Sequence, residues 1–454
     1  MTRLRNSRHV AVAGLQTMID NGEIDTVIVC FTDMQGRLQG KRMHAAYFAD
    51  EVLAHGTEGC NYLLAVDIEM NTVDGYAISS WDRGYGDMIF ALDTDTLRLL
   101  PHQPGTAMVQ CDLTWLDGRP VVESPRTILK TQLDRLATLG YQALAGTELE
   151  FIAFDTPYAD AWRQGYRDLV PATSYNVDYS ILGTTAVEPL LRDIRNAMYG
   201  AGMTVESAKG ECNPGQQEIG FRYAEALTTA DNHVVYKTAA KQIAAQHGKS
   251  ITFMAKYNER EGNSCHIHLS LRGTDGRIVF SDASGRTELY DRFVAGILAT
   301  MADFTLLYAP NINSYKRFAD GSFAPTAIGW GVDNRTCAVR LVGEGSSARL
   351  ENRVPGGDVN PYLALAAMIA GGLYGIEHEV GLPAEVQGNA YESGLPRVPR
   401  TLLAARDAFT RSAIAREAFS DAVVDHYTTM ADVEVAAFDA AVTDWELRRG
   451  FERM

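Results

Sequence analysis

Four short segments in which polar side chains alternate with apolar ones constrain the fold of this 454-residue chain most strongly. Alternation with period two is typical of a β-strand, so each segment is predicted to be a strand with its polar groups on one face. Carboxylate, imidazole and guanidinium groups dominate these faces, whereas a solvated face usually carries Lys and Thr as well. We therefore interpret the four segments as parts of one site. They are TELEF with Glu148 and Glu150, ECNPGQQEIGF with Glu211 and Glu218, CHIHLSL with His266, His268 and Ser270, and ARLENRV with Arg349, Glu351 and Arg353.

The carboxylates in these segments predict bound metal ions. Two carboxylates about 5 Å apart at an effective dielectric constant of about 20 repel each other by roughly 3 kcal/mol, so a cation has to lie between them. Ligation by oxygen with a single imidazole suits Mg²⁺ or Mn²⁺ better than Zn²⁺, which favours Cys and several His. Same-face neighbours on a strand are about 7 Å apart, against a metal–oxygen distance of about 2.1 Å. Glu148 and Glu150 are therefore predicted to bind different ions.

Arginine residues in nearby segments indicate phosphoryl transfer. Arg317 lies in NSYKRF, and Arg335 and Arg340 lie in NRTCAVRL. Guanidinium groups that pair with anionic oxygens beside divalent metals are typical of a site that transfers a phosphoryl group. The chain has neither a Walker-type GxxxxGK[ST] loop nor the catalytic triplet of protein kinases, so the nucleotide is predicted to bind in another architecture.

Charge and hydropathy exclude two classes of partner. The net charge of −16 argues against nucleic acid, because phosphate binding needs a basic stripe that the sequence lacks. The longest apolar stretch, residues 362–376, is too short to span a bilayer, so no membrane partner is expected. The six cysteines are far apart and form no CxxC pair, which predicts reduced thiols and a cytoplasmic protein.

The chain is predicted to fold into a small α+β domain followed by a larger one. Short alternating runs with punctuating glycines, after one amphipathic helix, indicate hairpins in residues 1–110. The larger domain begins near Ser124, a predicted helix N-cap with Pro125 at the first helical position. Further helices are predicted over residues 224–247, 289–308, 361–377, 401–420 and 430–449, between the strands.

These motifs, taken together, resemble the glutamine synthetase family of the bacterial type I class over nearly the whole chain. TELEF, ECNPGQQEIGF, GNSCHIHLSL, NSYKRF, NRTCAVRL and ENRVPGGDVNPYLALAAM occur in the order and spacing of that family. The resemblance implies an α+β protein with an N-terminal β-grasp domain, residues 1–118, and a C-terminal catalytic domain, residues 119–454. It also implies an antiparallel sheet that forms part of an active-site barrel between subunits, and a dodecamer of two stacked hexameric rings.

The resemblance also implies a role for individual residues. Two to three Mg²⁺ or Mn²⁺ ions would bind, one at Glu150, Glu211 and Glu218 and another at Glu148, His266 and Glu351. Glutamate would contact Gly262, His266, Arg317, Arg335 and Arg353, and ATP would contact Glu206, Tyr223, His268, Ser270 and Arg349. Arg335, Arg340 and Glu150 would act in catalysis. The implied reaction phosphorylates the γ-carboxylate of glutamate with ATP, and a nitrogen nucleophile then displaces phosphate.

At two places the sequence departs from the pattern of the family members that use ammonia, and both departures predict a different nucleophile. The FDGSS signature of members that use ammonia is absent from the small domain, and the flap reads GSFAP, with Phe323 where those members carry Glu. Loss of both carboxylates that bind ammonium, with all six metal ligands kept, predicts a γ-glutamyl-amine ligase. Ethanolamine is the first expected substrate, and putrescine or a longer polyamine the next. Phe323 would pack on the carbon chain of the amine, and Asp67 or Glu69 from a neighbouring subunit would accept its proton.

Three alternatives stay open at this point. The chain could be a glutamine synthetase that uses ammonia through other groups, or a catalytically silent relative that serves as a structural or regulatory ring. It could also be a guanidino kinase of different fold, which would transfer phosphate without forming an amide. Phosphate release and product mass separate these readings.

Overall fold

The computed structural model describes residues 10–454 and contains two main sheets. The first has five strands, in the spatial order Leu38–His44, Thr26–Thr32, Thr106–Trp115, Asp87–Leu99 and Thr57–Cys60. Its central pair is parallel, with Thr26 opposite Thr106, and the other pairs are antiparallel. Thr26–Thr32, the second strand in this order, is almost completely buried. This mixed sheet confirms the predicted α+β N-terminal part, except that residues 1–9 lie outside the described residues.

The second sheet has nine strands and lies in the larger part of the molecule. Seven of its strands lie side by side in the order Trp330–Val332, Val339–Val342, Arg349–Asn352, Cys265–Gly273, Tyr141–Phe154, Gln216–Phe221 and Val205–Gly210. Two further strands, Ser250–Thr252 and Ala224–Glu225, also pair with Tyr141–Phe154. The pairings in the described residues are antiparallel, apart from a parallel one between the first two strands. The predicted antiparallel sheet is confirmed. A separate hairpin pairs Ser281–Asp282 with Gly285–Arg286.

Long helices form the core beside this sheet. They are Pro125–Thr138, Glu188–Gly200, Ala226–Gln246, Glu288–Tyr308 and Pro361–Glu377. The last two pack backbone against backbone, because a Cβ on Gly296 would lie 2.1 Å from the carbonyl oxygen of Gly371. The apolar stretch 362–376 is thus a buried core helix. None of the helices in residues 10–454 is long and apolar enough to cross a bilayer.

The remaining helices complete the fold. The α-helices are Val12–Asp20, Ala45–Tyr47, Leu53–His55, Tyr158–Arg163, Ile181–Thr184, Leu402–Arg411, Ala413–Phe419, Asp421–Ala440 and Asp444–Gly450. Phe48–Val52 is a π-helix, and the 3₁₀ turns are Asn61–Leu64, Trp81–Arg83, Ile312–Arg317, Gly345–Ser347 and Ala390–Glu392.

The C-terminal helix predictions were wrong in their boundaries. The helix predicted over 401–420 is broken at Ser412, whose extended backbone lets its hydroxyl accept from Ala415 N at 3.0 Å and begin a new helix. The helix predicted over 430–449 instead runs Asp421–Ala440, and the separate helix Asp444–Gly450 follows it. Ser124 does occupy the N-cap position of Pro125–Thr138, but its side chain makes no cap hydrogen bond.

A buried ionic network joins the first sheet to two helices of the larger part. Arg126 forms ion pairs with Asp93 at 2.6 Å and Asp112 at 2.5 Å, both on strands of the first sheet. It also pairs at 3.0 Å with Asp231, which lies on the helix Ala226–Gln246 of the larger part. Three carboxylates around one guanidinium therefore fix the two parts against each other. The division at residues 118 and 119 stays a prediction, and it falls between the last strand of the first sheet and the helix that begins at Pro125.

Candidate active site

The strand Tyr141–Phe154 supports the polar face of the second sheet. Glu148 and Glu150 both project from this face, as period two requires. Glu148 lies opposite His266 on the neighbouring strand on one side. Glu150 lies opposite Glu218 on the other side. The register of two separate pairings thus divides the acidic face into two groups.

The first group contains Glu150, Glu211 and Glu218, whose ligand atoms lie within 4.8 Å of one another. Burial, opposed by the charge of Lys209 and aided by the charges of Glu148 and Glu150, raises the pKa of Glu218 to about 7. Lys209 contacts Glu211 and lies 3.3 Å from Glu218 Oε2. One lysine faces three carboxylates, so a divalent cation fits this group by charge and by donor type.

Hydrogen bonds orient Glu150 within this group. Its Oε2 accepts from the backbone N–H of Ser264 at 2.7 Å and from Gln216 Nε2 at 3.0 Å. Gln216 in turn donates to the carbonyl oxygen of Gly262 at 2.9 Å. These contacts hold one oxygen of Glu150 and fix the rotamer of the side chain.

The second group contains Glu148, His268 and Glu351. His268 Nε2 lies 2.9 Å from Glu148 Oε1, and His266 Nδ1 lies 3.4 Å from both Glu148 and Glu351. Burial would raise the pKa of Glu148, but hydrogen bonds with the two imidazoles outweigh it and lower that pKa. Both histidines therefore stand at this group, where the family resemblance implied His266 alone as a ligand.

The imidazole of His266 is suited to metal binding. His266 Nε2 is buried and has no hydrogen-bond partner among the described residues. Burial, followed by the charge of Arg353, lowers the pKa of His266, which favours the neutral imidazole that ligates metals. The donor set of two carboxylates and imidazole nitrogen fits Mg²⁺ or Mn²⁺.

Guanidinium groups lie beside the second group. Glu351 is fully buried and accepts from Arg340 Nη1 at 2.8 Å, and it also contacts Arg353 Nη1. Arg340 Nε donates to Asp333 at 3.0 Å. Arg335 lies on the exposed loop between Asp333 and the strand of Arg340.

Arg317 is buried under the same face. It donates to the carbonyl oxygen of Val354 at 2.8 Å and to Ser264 Oγ at 3.0 Å. Burial lowers its pKa to about 10, so the side chain stays cationic at neutral pH. Gly262 lies next to it, because a Cβ there would come 2.2 Å from the Ala255 carbonyl oxygen and 3.1 Å from Arg317 Cγ. Only glycine fits this approach.

A cavity of about 470 Å³ opens onto both acidic groups. All five residues predicted to contact ATP line it: Glu206, Tyr223, His268, Ser270 and Arg349. Glu148 and Glu218 lie in its wall as well, one from each group. Ser270 Oγ donates to the Ala348 carbonyl oxygen at 2.9 Å, and Arg349 Nε donates to His268 Nδ1 at 3.2 Å. The volume is that of a typical small-molecule pocket.

The flap residue Phe323 is 61% exposed and has a positive φ of 57°. Asp67 and Glu69 lie in the first part of the chain, where the Asp67 carboxylate accepts from the backbone N–H groups of Glu69 and Asn71 at 2.9 and 2.8 Å. Among the described residues, neither acid is hydrogen-bonded to the two acidic groups. Asp67 instead lines a separate small pocket with Tyr76 and Glu434.

Sequence reasoning missed two residues of the site. Lys209 contacts the first acidic group, and its position two residues before Glu211 is the period-two signal that would have found it. Gln216 lies two residues before Glu218 on the same strand and so carries the same signal, and its Oε1 also accepts from the Asn213 backbone N–H at 3.0 Å.

Comparison with known proteins agrees with this geometry. The family described as glutamine synthetase, catalytic domain, matches residues 122–450. The chain is 63% identical to gamma-glutamylethanolamide synthetase GlnA4 of Streptomyces coelicolor, over 98% of this chain and 96% of that one. It is 37% identical to a glutamate–isopropylamine ligase of a Pseudomonas species, over 96% of each chain. A solved structure of GmaS in complex with ADP superposes with a TM-score of 0.84 at 26% identity, over 96% of this chain and 99% of that one.

The chain belongs to the glutamine synthetase family. The match of the family model and the two relatives carry this assignment, and the arrangement of carboxylates, imidazoles and guanidiniums on one sheet agrees with it.

Proposed function

We propose that this protein is an ATP-dependent ligase that joins the γ-carboxylate of L-glutamate to a small primary amine through a γ-glutamyl phosphate intermediate. Ethanolamine is the first proposed amine, and putrescine or a polyamine the second. The relative named for gamma-glutamylethanolamide synthesis, which aligns over nearly the full length, supports this choice. The relative named for isopropylamine supports an amine rather than ammonium as the nucleophile.

The observation that carries the proposal is that one cavity opens onto two acidic groups and lies near buried arginines. Glu206, Tyr223, Ser270 and Arg349 would contact ATP in this cavity. Glu150, Glu211 and Glu218 would hold one divalent ion, and Glu148, Glu351 and the histidines another. Such ions neutralise phosphate oxygens and position the transferred group.

Arginine side chains of the site would bind the substrate and stabilise the transferring phosphoryl group. Arg317 and Arg353 would bind the carboxylate of glutamate beside Gly262, with His266 and Arg335 near the substrate. Arg340 would pair with the transferring phosphoryl group, because a guanidinium favours the charge that develops there. Glu351 already orients Arg340 and Arg353 by accepting from both. The chain thus presents preorganised donors to a negatively charged transition state.

The nucleophile site would lie under the flap. Phe323 replaces a carboxylate that binds a small cation, and its ring would pack on the carbon chain of the amine. We further propose a dodecamer of two hexameric rings with its active sites between subunits, in which Asp67 or Glu69 of a neighbouring copy accepts the amine proton. The use of ATP and the six cysteines, all free thiols, support a cytoplasmic location.

Ammonia ligation is the second candidate function, because the chain is also 36% identical to a glutamine synthetase of Thermus thermophilus over 83% of its length. One panel separates the candidates. Purified protein, ATP, Mg²⁺ and glutamate are combined with ammonium, isopropylamine, ethanolamine, putrescine or spermine, and phosphate release and product mass are measured. Ethanolamine is expected to give the highest kcat/KM. Equal or better turnover of ammonium would establish a glutamine synthetase, and no phosphate release with any nucleophile would establish a silent relative.

A further inference from the structure

The flap around Phe323 is held by a second segment, residues 388–398. Tyr391 lies in the 3₁₀ turn Ala390–Glu392 of this segment. Its hydroxyl donates to the carbonyl oxygen of Ala324 at 3.0 Å and also interacts with the backbone of Phe323. One hydroxyl group therefore anchors the tip of the flap.

Arg397 of the same segment closes the base of the flap. Its Nη1 lies 2.8 Å from Asp320 Oδ1 and 3.2 Å from Thr326 Oγ1, which are the two ends of the loop. Thr326 Oγ1 also donates to Asp320 Oδ1 at 2.9 Å. Arg397 Nη2 donates to the carbonyl oxygen of Tyr391 at 3.1 Å, so the contacts at the base and at the tip belong to one connected set.

The backbone of Phe323 needs these contacts. A left-handed conformation costs a residue with a Cβ roughly 1–2 kcal/mol, and Phe323 has a φ of 57°. Such a conformation persists only where the surroundings impose it, and it is common at functional sites. The ring of Phe323 is exposed, so its own packing does not impose the conformation. The hydrogen bond from Tyr391 to the next residue supplies the constraint.

Tyr391 also lies near the arginines proposed to bind glutamate. Burial raises the pKa of Tyr391, against the opposing charges of Arg317 and Arg353. The hydroxyl is therefore neutral at physiological pH and remains a donor. It therefore feels the charge of these arginines while it is hydrogen-bonded to the flap.

We propose that Tyr391 is a positioning residue that fixes Phe323 over the nucleophile site and thereby selects short primary amines. This inference rests on the proposed amine ligase function. With the hydrogen bond to Ala324 in place, the Phe323 ring bounds the space left for the amine. Without the bond, the flap samples open positions, a short amine loses its packing partner, and a longer amine is no longer excluded.

The test compares two Tyr→Phe variants that each lose one hydroxyl. Tyr391→Phe removes the bond to Ala324, and Tyr158→Phe removes an equally long bond of 3.0 Å to the Ile251 carbonyl oxygen, outside the proposed site. KM and kcat are measured for ethanolamine, putrescine and ATP. Tyr391→Phe is expected to raise the KM for ethanolamine about fivefold, as the loss of one ordinary hydrogen bond allows, and to leave the KM for ATP unchanged. The preference for ethanolamine over putrescine falls in this variant and stays constant in Tyr158→Phe.

A second variant tests the same flap from its base. Asp320→Asn weakens the pair with Arg397 and is expected to move the KM for ethanolamine in the same direction. If Tyr391→Phe behaves like Tyr158→Phe while the wild type turns over ethanolamine, the positioning role is wrong and the proposed function stands. Equal changes in all KM values together with a lower Tm would show a general structural role and would also overturn the inference. If the wild type turns over no amine, the function and the inference fail together.

Discussion

Glu148 and Glu150 project from one face of one strand, yet they belong to different acidic groups. Glu148 lies with His268 and Glu351, and Glu150 lies with Glu211 and Glu218. The split arises because the strand pairs with a histidine strand on one side and with a glutamate strand on the other. A single strand therefore contributes to two separate groups, each of which could hold a metal ion.

Each glutamate is expected to account for one bound ion. In wild-type protein, titration with Mn²⁺ followed by electron paramagnetic resonance should give at least two ions per chain. Glu148→Gln and Glu150→Gln should each lose one of them, because an amide supplies no charge against the cation. In Glu150→Gln the amide also relieves repulsion with Glu218, so this variant without metal should unfold at a Tm equal to or above that of the wild type.

Glu225→Gln is the control for this pair, since Glu225 is an exposed residue of the same sheet. It should keep the wild-type number of ions and the rise in Tm on adding Mg²⁺. Retention of the full number of ions in both site variants would show that the two groups do not bind metal separately.

Phe323→Glu is expected to exchange the amine for ammonium. A carboxylate on the flap loses hydration if it packs on the carbon chain of ethanolamine, and it attracts a small cation, so kcat/KM for ethanolamine should fall at least tenfold and the relative use of ammonium should rise. Phosphate release and product mass measure both. Phe323→Leu, which keeps an apolar side chain, should keep most of the ethanolamine activity. Unchanged ethanolamine turnover in Phe323→Glu would mean that the flap does not face the nucleophile.

The local sequence pattern could predict which side chains share one face of a strand, but not which strands pair or in which register. Period two placed Glu148 and Glu150 on one face, and that much is a property of a single segment. The approach of His268 to Glu148 at 2.9 Å depends on the register of two strands far apart in sequence, which no local pattern fixes. The resemblance to a family supplied His266 but not the proximity of His268 to the same group.

The fold shows the same limit. Apolar spacing predicted the helix Pro361–Glu377 with correct ends, because an Asn N-cap and Pro at the first turn mark its start. The spacing failed at Ser412, where apolar residues continue on both sides of the break. There the hydroxyl competes for the backbone and starts a second helix. Local hydrogen bonding thus overrode a continuous periodic pattern.

Lys237 is expected to make the stability of the protein rise with pH in the alkaline range. Burial, and then the charge of Lys241, lowers the pKa of Lys237 to about 8, while its ammonium donates to the Gly357 carbonyl oxygen at 2.9 Å. Between pH 8 and 10.5 the unfolded state binds more protons than the folded state at this residue, so stability rises with pH through that window. The free energy of unfolding of the wild type, relative to Lys237→Gln, should rise by on the order of 2 kcal/mol.

Denaturant titrations at pH 7.5 and 10 measure this difference. Lys41→Gln, at an exposed position on a strand of the first sheet, is the matched control and should leave the pH dependence as in the wild type. A constant difference between the wild type and Lys237→Gln across this range would contradict the prediction.

Arg126→Met is expected to destabilise the protein strongly without altering the site. Arg126 is nearly fully buried and pairs with Asp93, Asp112 and Asp231, and its removal leaves Asp231 buried without its cation. Loss of one partner of a buried ion pair costs about 3–5 kcal/mol. The midpoint of denaturant unfolding should fall accordingly, while the folded variant keeps the KM for ATP. Arg119→Met removes an exposed pair with Asp117 of 2.8 Å and should cost no more than about 0.5 kcal/mol. Equal midpoints for the two variants would show that the network does not stabilise the contact between the first sheet and these helices.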